Sequence, residues 1–187
     1  MGRLILVTGG ARSGKSTFAE QLAAQLGGDD VLFVATAEAL DDDMRRRIAA
    51  HRQARPAAWQ TEEAPRHVGR RIAQSLGTRS VVLVDCLTLL VSNALLSLGD
   101  EPDAQQAERL AIEEVDQLIE AISRSTATVI VVTNEVGLGL VPPYRLGRIY
   151  RDVLGKANQR LAAQADAVYL LVSGLPIDVK KLAVRFP

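Results

Sequence analysis

The chain has 187 residues, 48% of them hydrophobic and 24% charged, which is typical of one folded domain with a substantial core. Lys plus Arg and Asp plus Glu both total 22, so the charge gives no reason to expect a nucleic acid or an anionic membrane as partner. The single cysteine, Cys86, excludes an internal disulfide and indicates a reducing, cytoplasmic location. We therefore expect one domain over residues 1–187.

Neither a secretory signal nor a membrane span is expected from the apolar segments. The first apolar run is short and leads directly into a glycine-rich segment, which is not the pattern of a signal peptide. The longest apolar stretch, residues 81–98, contains Asp85, Thr88, Ser92 and Asn93. We interpret it as a core strand followed by the start of a helix.

The glycine-rich segment, residues 9–16, matches the pattern Gly-x-x-x-x-Gly-Lys-Ser/Thr. The apolar residues 4–7 before it predict a buried parallel strand, and residues 17–26 after it predict a helix that ends at Gly27. Strand, glycine loop and helix in this order are the context that the pattern requires. The predicted inner stripe of the helix consists of Phe18, Leu22 and Leu26.

This segment, which we call the phosphate loop, has the chemistry needed to hold a nucleoside triphosphate. Glycines let consecutive backbone N–H groups turn inward, and the helix N-terminus adds a partial positive charge. Lys15 is expected to reach the β- and γ-phosphates, and Ser16 to offer its hydroxyl to Mg²⁺. The alternative, a glycine-rich turn with a chance Lys-Ser pair, is disfavoured by the flanking elements. The phosphate loop consists of Gly9, Gly10, Ala11, Arg12, Ser13, Gly14, Lys15 and Ser16.

Apolar runs alternate with helical patterns along the rest of the chain. Strands are predicted at 31–36, 81–85, 128–132 and 167–172, and helices at 68–76, 107–123 and 149–163. This alternation indicates a mainly parallel sheet with right-handed crossovers. With the phosphate loop, it predicts an α/β P-loop NTPase (RecA-like) three-layer fold. A further helix is predicted at 41–56, an irregular connection at 57–63, and a short tail after residue 172.

Asp85 directly follows four apolar residues of the predicted third strand. A strand-end carboxylate paired with a phosphate loop is the arrangement that holds Mg²⁺, directly or through water, in such NTPases. Strand-end aspartates are also common without that role. The phosphate loop makes Ser16 and Asp85 the predicted metal ligands.

Several classes of nucleotide-binding protein remain open at this point. A regulatory GTPase normally reads guanine with an Asn-Lys-x-Asp strand end, whereas the fourth strand here ends in Thr133-Asn134-Glu135. An ABC-type ATPase requires a separate signature loop and a longer chain. The length therefore favours a small-molecule kinase.

His51 adds a possible nucleophile to this site. Arg47, His51 and Arg55 are spaced i, i+4 and i+8, so on a helix they share one face. Cationic neighbours disfavour protonation of the imidazole and leave a ring nitrogen able to attack phosphorus. The same pattern also fits a solvated Arg/His face with no catalytic role.

The chain resembles the bifunctional adenosylcobinamide kinase/adenosylcobinamide-phosphate guanylyltransferase family of coenzyme B12 biosynthesis. The resemblance covers nearly the whole sequence, and its most specific parts are the strand end 132–137 and the helix that contains His51. It further rests on residues 7–16, 35–37, 47–56, 158–161, Trp59, Thr61 and Glu63.

This resemblance implies two reactions. A γ-phosphate from ATP or GTP moves to the aminopropanol hydroxyl of adenosylcobinamide. His51 then displaces pyrophosphate from GTP, and the GMP passes to adenosylcobinamide phosphate, giving adenosylcobinamide-GDP. Splitting a difficult substitution into two displacements is the usual benefit of a covalent intermediate.

The resemblance also implies which residues contact the nucleotide, and that the enzyme is a homotrimer with sites between subunits. Asp85 stands where many relatives carry Glu, which shortens the reach of the carboxylate and favours a water-mediated contact with metal. Ala50 precedes His51 where some relatives have a second histidine, so the nucleophile is unambiguous. The implied contacts outside the phosphate loop are Ala35, Thr36, Ala37, Arg52, Gln53, Ala54, Arg55, Glu63 and Asp85.

Two side chains and two other functions stay open. Glu135 is a candidate base for the substrate hydroxyl or a structural strand-end acid, and Arg12 either touches phosphate or faces solvent. A plain small-molecule kinase, in which His51 is an ordinary helix residue, is the main alternative function. A nucleotide-binding module without catalysis is the third.

Overall fold

The computed structural model describes residues 1–38, 42, 45–46, 55–99 and 101–184. Within them lies one seven-stranded sheet with the order β3-β2-β4-β5-β1-β6-β7. The strands are β1 (Arg3–Gly9), β2 (Val31–Ala35), β3 (Gln60–Glu63), β4 (Val81–Asp85), β5 (Thr128–Val132), β6 (Ala167–Val172) and β7 (Leu175–Asp178). The helices are α1 (Lys15–Gly27), α2 (Val68–Ser75), α3 (Leu87–Leu96), α4 (Ala104–Arg124), α5 (Arg145–Gln164) and α6 (Val179–Leu182).

The sheet is parallel except for β7, which pairs antiparallel with β6, and both of its faces are buried. On one face α1 packs against residues such as Val7 and Phe33. On the other, helices α2 to α5 cover residues such as Leu6 and Val84. Burial on both faces explains why the central strands are continuous apolar runs. The predicted three-layer P-loop NTPase fold is confirmed.

The inner face of α1 differs from the predicted stripe. Ala19 and Ala23 are fully buried, whereas Phe18 and Leu22 are only partly buried and Leu26 is 41% exposed. The small side chains let the helix backbone lie close to the sheet, so the larger apolar residues are displaced to its flanks.

The segment before α2 is more regular than predicted. Residues 60–63, expected to be irregular, form edge strand β3, which pairs parallel with β2 from Leu32↔Gln60 to Ala35↔Glu63. The strand is polar on both sides because it lies at the sheet edge, which removes the alternation that marks a half-buried strand. The Trp59 Nε1–H donates to the Gly28 carbonyl over 2.9 Å and fixes the entry of β3.

The chain after β6 is not a simple tail, as predicted, but a hairpin followed by the short helix α6. Ser173 and Gly174 connect β6 to β7 with φ angles of 51° and 84°, and Val172 pairs with Leu175. A two-residue turn with positive φ at both positions matches the twist of the strands that it joins.

The remaining helix predictions agree in place and differ in extent. Helix α4 begins at Ala104, where the Asp103 carboxylate accepts a hydrogen bond from the Gln106 N–H, and α5 begins at Arg145, four residues earlier than predicted. The predicted helix 41–56 lies largely outside the described residues. Within the described part of the chain, no helix combines the length and apolarity that crossing a membrane requires.

Candidate functional site

The phosphate loop connects β1 to α1 at the carboxyl edge of the sheet, and three of its positions have positive φ angles, one of them Arg12 at 57°. Gly9 and Gly14 have φ angles of 151° and 94°. A Cβ on Gly9 would lie 2.6 Å from the Leu171 carbonyl oxygen and 2.8 Å from the Ser13 Oγ. The Gly174 N–H of the β6–β7 hairpin donates to the Ser13 carbonyl over 2.9 Å. Larger residues at these glycines would therefore displace the loop from the sheet.

Lys15 and Ser13 present polar groups inside this loop. Lys15 is 7% exposed, and its Nζ donates to the Gly10 carbonyl over 2.6 Å. Burial lowers the pKa of Lys15, while the negative charge of the nearby Asp85 opposes that shift, so Asp85 lies within electrostatic reach of its ammonium. The Ser13 Oγ is buried and has no hydrogen-bond partner among the described residues. A cradle with a buried cation and an unsatisfied hydroxyl fits a phosphate group.

Strand register brings the other predicted site residues to the same edge. Asp85 and Glu63 both pair with Ala35, and Asp85 also pairs with Val132 of β5. Val132 in turn pairs with Val7, two residues before the phosphate loop. The predicted residues from β2, β3 and β4 therefore form one row that leads to the loop.

Thr36 braces this row from within. Its hydroxyl donates to the Cys86 carbonyl and accepts from the Cys86 N–H, both over 2.7 Å, and its own N–H donates to the Asp85 carbonyl. Asn93 Nδ2 donates to the Thr36 carbonyl over 2.8 Å. All polar groups of Thr36 are bonded inside the protein and the side chain is buried, so the geometry favours positioning of the Asp85 backbone over direct contact with a nucleotide.

Replacing Thr36 with valine should lower the free energy of unfolding by about 1–3 kcal/mol, because the shape is kept while the Cys86 N–H loses its partner in the interior. Urea unfolding followed by circular dichroism measures the change. Thr126→Val, at an exposed threonine, is the matched control and should stay close to the parent. Equal stability of the two variants would contradict the bracing role.

Cys86 is not a suitable nucleophile at this edge. Burial, reinforced by the negative charge of Asp85, raises the pKa of its thiol to about 11. The thiol is therefore protonated at neutral pH, and the thiolate is the reactive form.

The Thr-Asn-Glu segment after β5 is held against the phosphate loop. The Glu135 N–H donates to the Gly9 carbonyl over 3.0 Å, and the Glu135 Oε1 accepts from the Gly137 N–H over 2.6 Å. Asn158 of α5 accepts from the Thr133 hydroxyl and donates to the Asn134 carbonyl. The Glu135 backbone is thus fixed at the start of the loop, while its carboxylate is held by the Gly137 N–H.

A cleft of about 540 Å³ opens beside Glu135, between β1, β6 and one face of α5. Its floor is apolar and its rim is polar. The lining residues are Leu6, Thr8, Glu135, Gly137, Arg151, Asp152, Gly155, Lys156, Asn158, Gln159, Ala162 and Val168.

The structure places only part of the predicted nucleophile helix. His51, Arg52, Gln53 and Ala54 lie outside the described residues. Arg55 is described, and its Cζ lies 3.3 Å from the centroid of the Phe33 ring in a cation–π contact.

Three further residues of the site were not singled out as functional in the sequence. Asn93 is buried in α3 and also donates to the Pro65 carbonyl, so it connects two loops of the site edge. An asparagine inside an apolar helix was the available signal. The Ser173-Gly174 turn supports the phosphate loop, and its composition was the signal for a hairpin.

The three-layer fold with a phosphate loop at the sheet edge defines a P-loop nucleotide-binding protein. A family model described as "Cobinamide kinase / cobinamide phosphate guanyltransferase" matches residues 5–179. The chain belongs to this family, which confirms the resemblance and the expectation that it is a transferase of phosphorus-containing groups.

Two curated relatives agree with this assignment, and one solved structure agrees with the fold. The bifunctional adenosylcobalamin biosynthesis proteins CobU of Salmonella typhimurium and Escherichia coli K12 are 47% and 46% identical over 182 residues. Each match covers 95% of this chain and 99% of the relative. An ATPase from the type III secretion system of pathogenic bacteria superposes with a TM-score of 0.57 at 13% identity, over 99% of this chain and 60% of that one. At that identity the last likeness supports the fold alone.

Proposed function

We propose that this protein carries out two transfers at the phosphate loop: phosphorylation of adenosylcobinamide by ATP or GTP, and transfer of GMP from GTP to adenosylcobinamide phosphate through a GMP-His51 intermediate. The phosphate loop carries the proposal, since the buried Lys15 and the unsatisfied Ser13 hydroxyl lie at the same sheet edge as Asp85. Membership of the family supports the two acceptors.

In the first transfer, the aminopropanol hydroxyl attacks the γ-phosphorus of the nucleotide. The new oxygen–phosphorus bond forms as the bond to the β,γ-bridging oxygen breaks, and the nucleoside diphosphate leaves. We assign Glu135 as the acceptor of the hydroxyl proton, because its backbone N–H bonds to the Gly9 carbonyl and its carboxylate is held by the Gly137 N–H. Lys15 stabilises the negative charge on the transferred and leaving groups.

In the second transfer, a ring nitrogen of His51 attacks the α-phosphorus of GTP and pyrophosphate leaves. An oxygen of the acceptor phosphate then attacks the same phosphorus, the nitrogen–phosphorus bond breaks, and His51 is restored. The acceptor phosphate is already ionised at neutral pH, so this step needs no general base.

Mg²⁺ is the metal that this donor set fits. The Ser16 hydroxyl and the Asp85 carboxylate are hard oxygen donors, and among the described residues no group of three or more His, Cys, Asp and Glu could form a protein cage for a metal. Mg²⁺ typically combines one or two protein donors with substrate phosphates and water. When bound it would neutralise phosphate charge, with the Ser16 hydroxyl as a ligand and the Asp85 carboxylate holding it directly or through water.

The remaining nucleotide contacts are proposed from the positions that match the family's motifs. Phosphate-loop backbone groups and Arg12 would surround the phosphates, while Ala35, Ala37, residues 52–55 and Glu63 would contact the nucleoside. A cytoplasmic homotrimer with sites between subunits is the proposed assembly.

The direct test is incubation of the purified protein with adenosylcobinamide, Mg²⁺ and either ATP or GTP, with products followed by mass spectrometry. We expect adenosylcobinamide phosphate with either nucleotide and adenosylcobinamide-GDP with GTP alone. Reactions without cobinamide are the control. Phosphorylation with no GDP product under any condition would support the plain kinase instead.

Glu135→Gln should separate the two transfers by their need for a base. The amide keeps an oxygen for the Gly137 N–H but accepts no proton, so we expect phosphorylation to fall by about 10²- to 10⁴-fold. Transfer of GMP to adenosylcobinamide phosphate should change far less. Glu101→Gln, at an exposed glutamate, is the matched control, and equal losses in both transfers would contradict the role of Glu135 as base.

A further inference from the structure

The cleft beside Glu135 reaches the residue before the phosphate loop and lies on the opposite face of the sheet from α1. Leu6 and Thr8 of β1 line it, and Thr8 directly precedes the loop. Glu135 and Gly137 form the wall nearest the site. A group bound in the cleft would therefore end next to the proposed base and one residue from the start of the phosphate loop.

The cleft exists because α5 presents small residues on this face. Gly155 and Ala162 are seven positions apart and both line the cavity, so they share one side of the helix. A Cβ built on Gly155 meets no atom within 4 Å, and its backbone conformation suits any residue. Glycine in the middle of a 20-residue helix costs about 0.5–1 kcal/mol relative to alanine. The open space at Gly155 is therefore present at the expense of helix stability.

The lining suits an arm that is partly apolar and carries amide groups. Leu6, Ala162 and Val168 contribute an apolar floor. The exposed Gln159 amide and two ion pairs, Arg151 with Asp152 and Lys156 with Glu108, form the rim. A neutral, amide-bearing chain matches such a rim better than a highly charged group, because the cations of both pairs already have carboxylate partners.

We propose that this cleft is the acceptor site, in which the aminopropanol arm of the corrinoid lies along α5 with its terminal oxygen beside Glu135. The inference rests on the proposed function, which supplies the identity of the acceptor. A cleft of about 540 Å³ holds one arm of a corrinoid while the macrocycle stays outside.

The loop that follows Gly137 provides a surface for the macrocycle. Leu138 and Leu140 are 88% and 97% exposed, and Arg148 Nη1 holds the loop by donating to the carbonyls of Pro142 and Pro143. This apolar surface begins at the wall of the cleft, so a ring carried on the bound arm would cover it.

Filling the cleft from Gly155 tests the inference. Gly155→Phe should raise the KM for adenosylcobinamide and for adenosylcobinamide phosphate by at least about tenfold, as loss of fit in a pocket typically does. The GMP-protein adduct formed from GTP without acceptor should keep its yield. Ala73→Phe, which places the same ring in a separate cavity of about 390 Å³ between α2 and α4, is the matched control and should leave both KM values unchanged.

The series Gly155→Ala, Gly155→Leu and Gly155→Phe, checked by thermal unfolding, keeps the test valid if the largest variant does not fold. KM rising with side-chain size while adduct yield and stability stay constant supports the acceptor site. Unchanged KM in folded variants overturns it and leaves the proposed function intact. Absence of adduct in the parent protein counts against the proposed function instead.

Leu138→Ser with Leu140→Ser tests the loop separately. A rise of several-fold in the corrinoid KM at constant oligomeric mass supports contact with the macrocycle. Loss of assembly, measured by light scattering, would overturn that contact and assign the loop to an interface between copies of the chain.

Discussion

Replacing Lys15 with alanine is expected to lower both transfers by about 10²- to 10³-fold, the usual loss when one preorganised donor to a developing charge is removed. Lys15 is buried in the phosphate loop, where its ammonium meets the Gly10 carbonyl and the field of Asp85. In both reactions negative charge accumulates on phosphate oxygens next to this position. Because both reactions depend on the Lys15 ammonium, its removal should slow both of them.

Steady-state rates with each acceptor at saturating nucleotide measure the effect. Lys181→Ala removes an exposed lysine of α6 that is paired with Asp178 and lies in neither proposed site, so it distinguishes the loss of a specific ammonium from a general loss of charge. We expect it to leave the rate at saturating acceptor close to that of the parent. A Lys15→Ala variant that binds GTP and retains either transfer at the parent rate would contradict the shared phosphate site.

His51→Ala is expected to abolish GMP transfer and spare phosphorylation, whereas Glu135→Gln should impair phosphorylation and largely spare GMP transfer. Removal of a covalent nucleophile costs on the order of 10⁶-fold in well-studied enzymes, so GMP transfer should become undetectable. Phosphorylation of adenosylcobinamide needs no attack by histidine and should remain within a few-fold of the parent.

The second histidine of the chain is the natural control. His67 precedes α2, its backbone N–H donates to the buried Glu114, and its Nδ1 lies 3.4 Å from the same carboxylate. We expect His67→Ala to retain both transfers. If His67→Ala lost GMP transfer while His51→Ala retained it, the nucleophile would be His67, and the assignment to His51 would be wrong.

The central sheet was predictable from sequence because its strands are buried on both faces. Such strands must be apolar throughout, so the sequence predicted a buried strand at 81–85 and placed Asp85 at its carboxyl end. The phosphate loop was predictable for a related reason, since only glycine tolerates the backbone at Gly9 and Gly14. Where the backbone conformation admits only glycine, the sequence therefore shows glycine, and the loop can be recognised from it.

Edge elements were not predictable in the same way. Strand β3 is held by backbone hydrogen bonds to β2 with little side-chain burial, so no periodicity marks it. Strand β7 has the same character, and its only local signal was Ser173-Gly174. Pairing across the sheet depends on distant residues, which a reading of local pattern does not capture.

Residue roles within the site were harder to predict than their location. Thr36 follows β2 at the carboxyl edge of the sheet, as predicted, but its polar groups are bonded to Asp85, Cys86 and Asn93. A resemblance identifies a position, whereas the hydrogen bonds determine what the side chain does there. The cleft on α5 was not predicted, because an open space is defined by the side chains that are absent.

Labelling with GTP is the most direct test of the GMP-histidine mechanism. The protein is incubated with Mg²⁺ and GTP labelled at either the α- or the γ-phosphate, denatured, and examined for retained label. We predict label from the α position alone, stable to alkali, lost in mild acid, and absent in His51→Ala. No retained label while GTP demonstrably binds, or equal label in His51→Ala, would contradict a covalent intermediate on this residue.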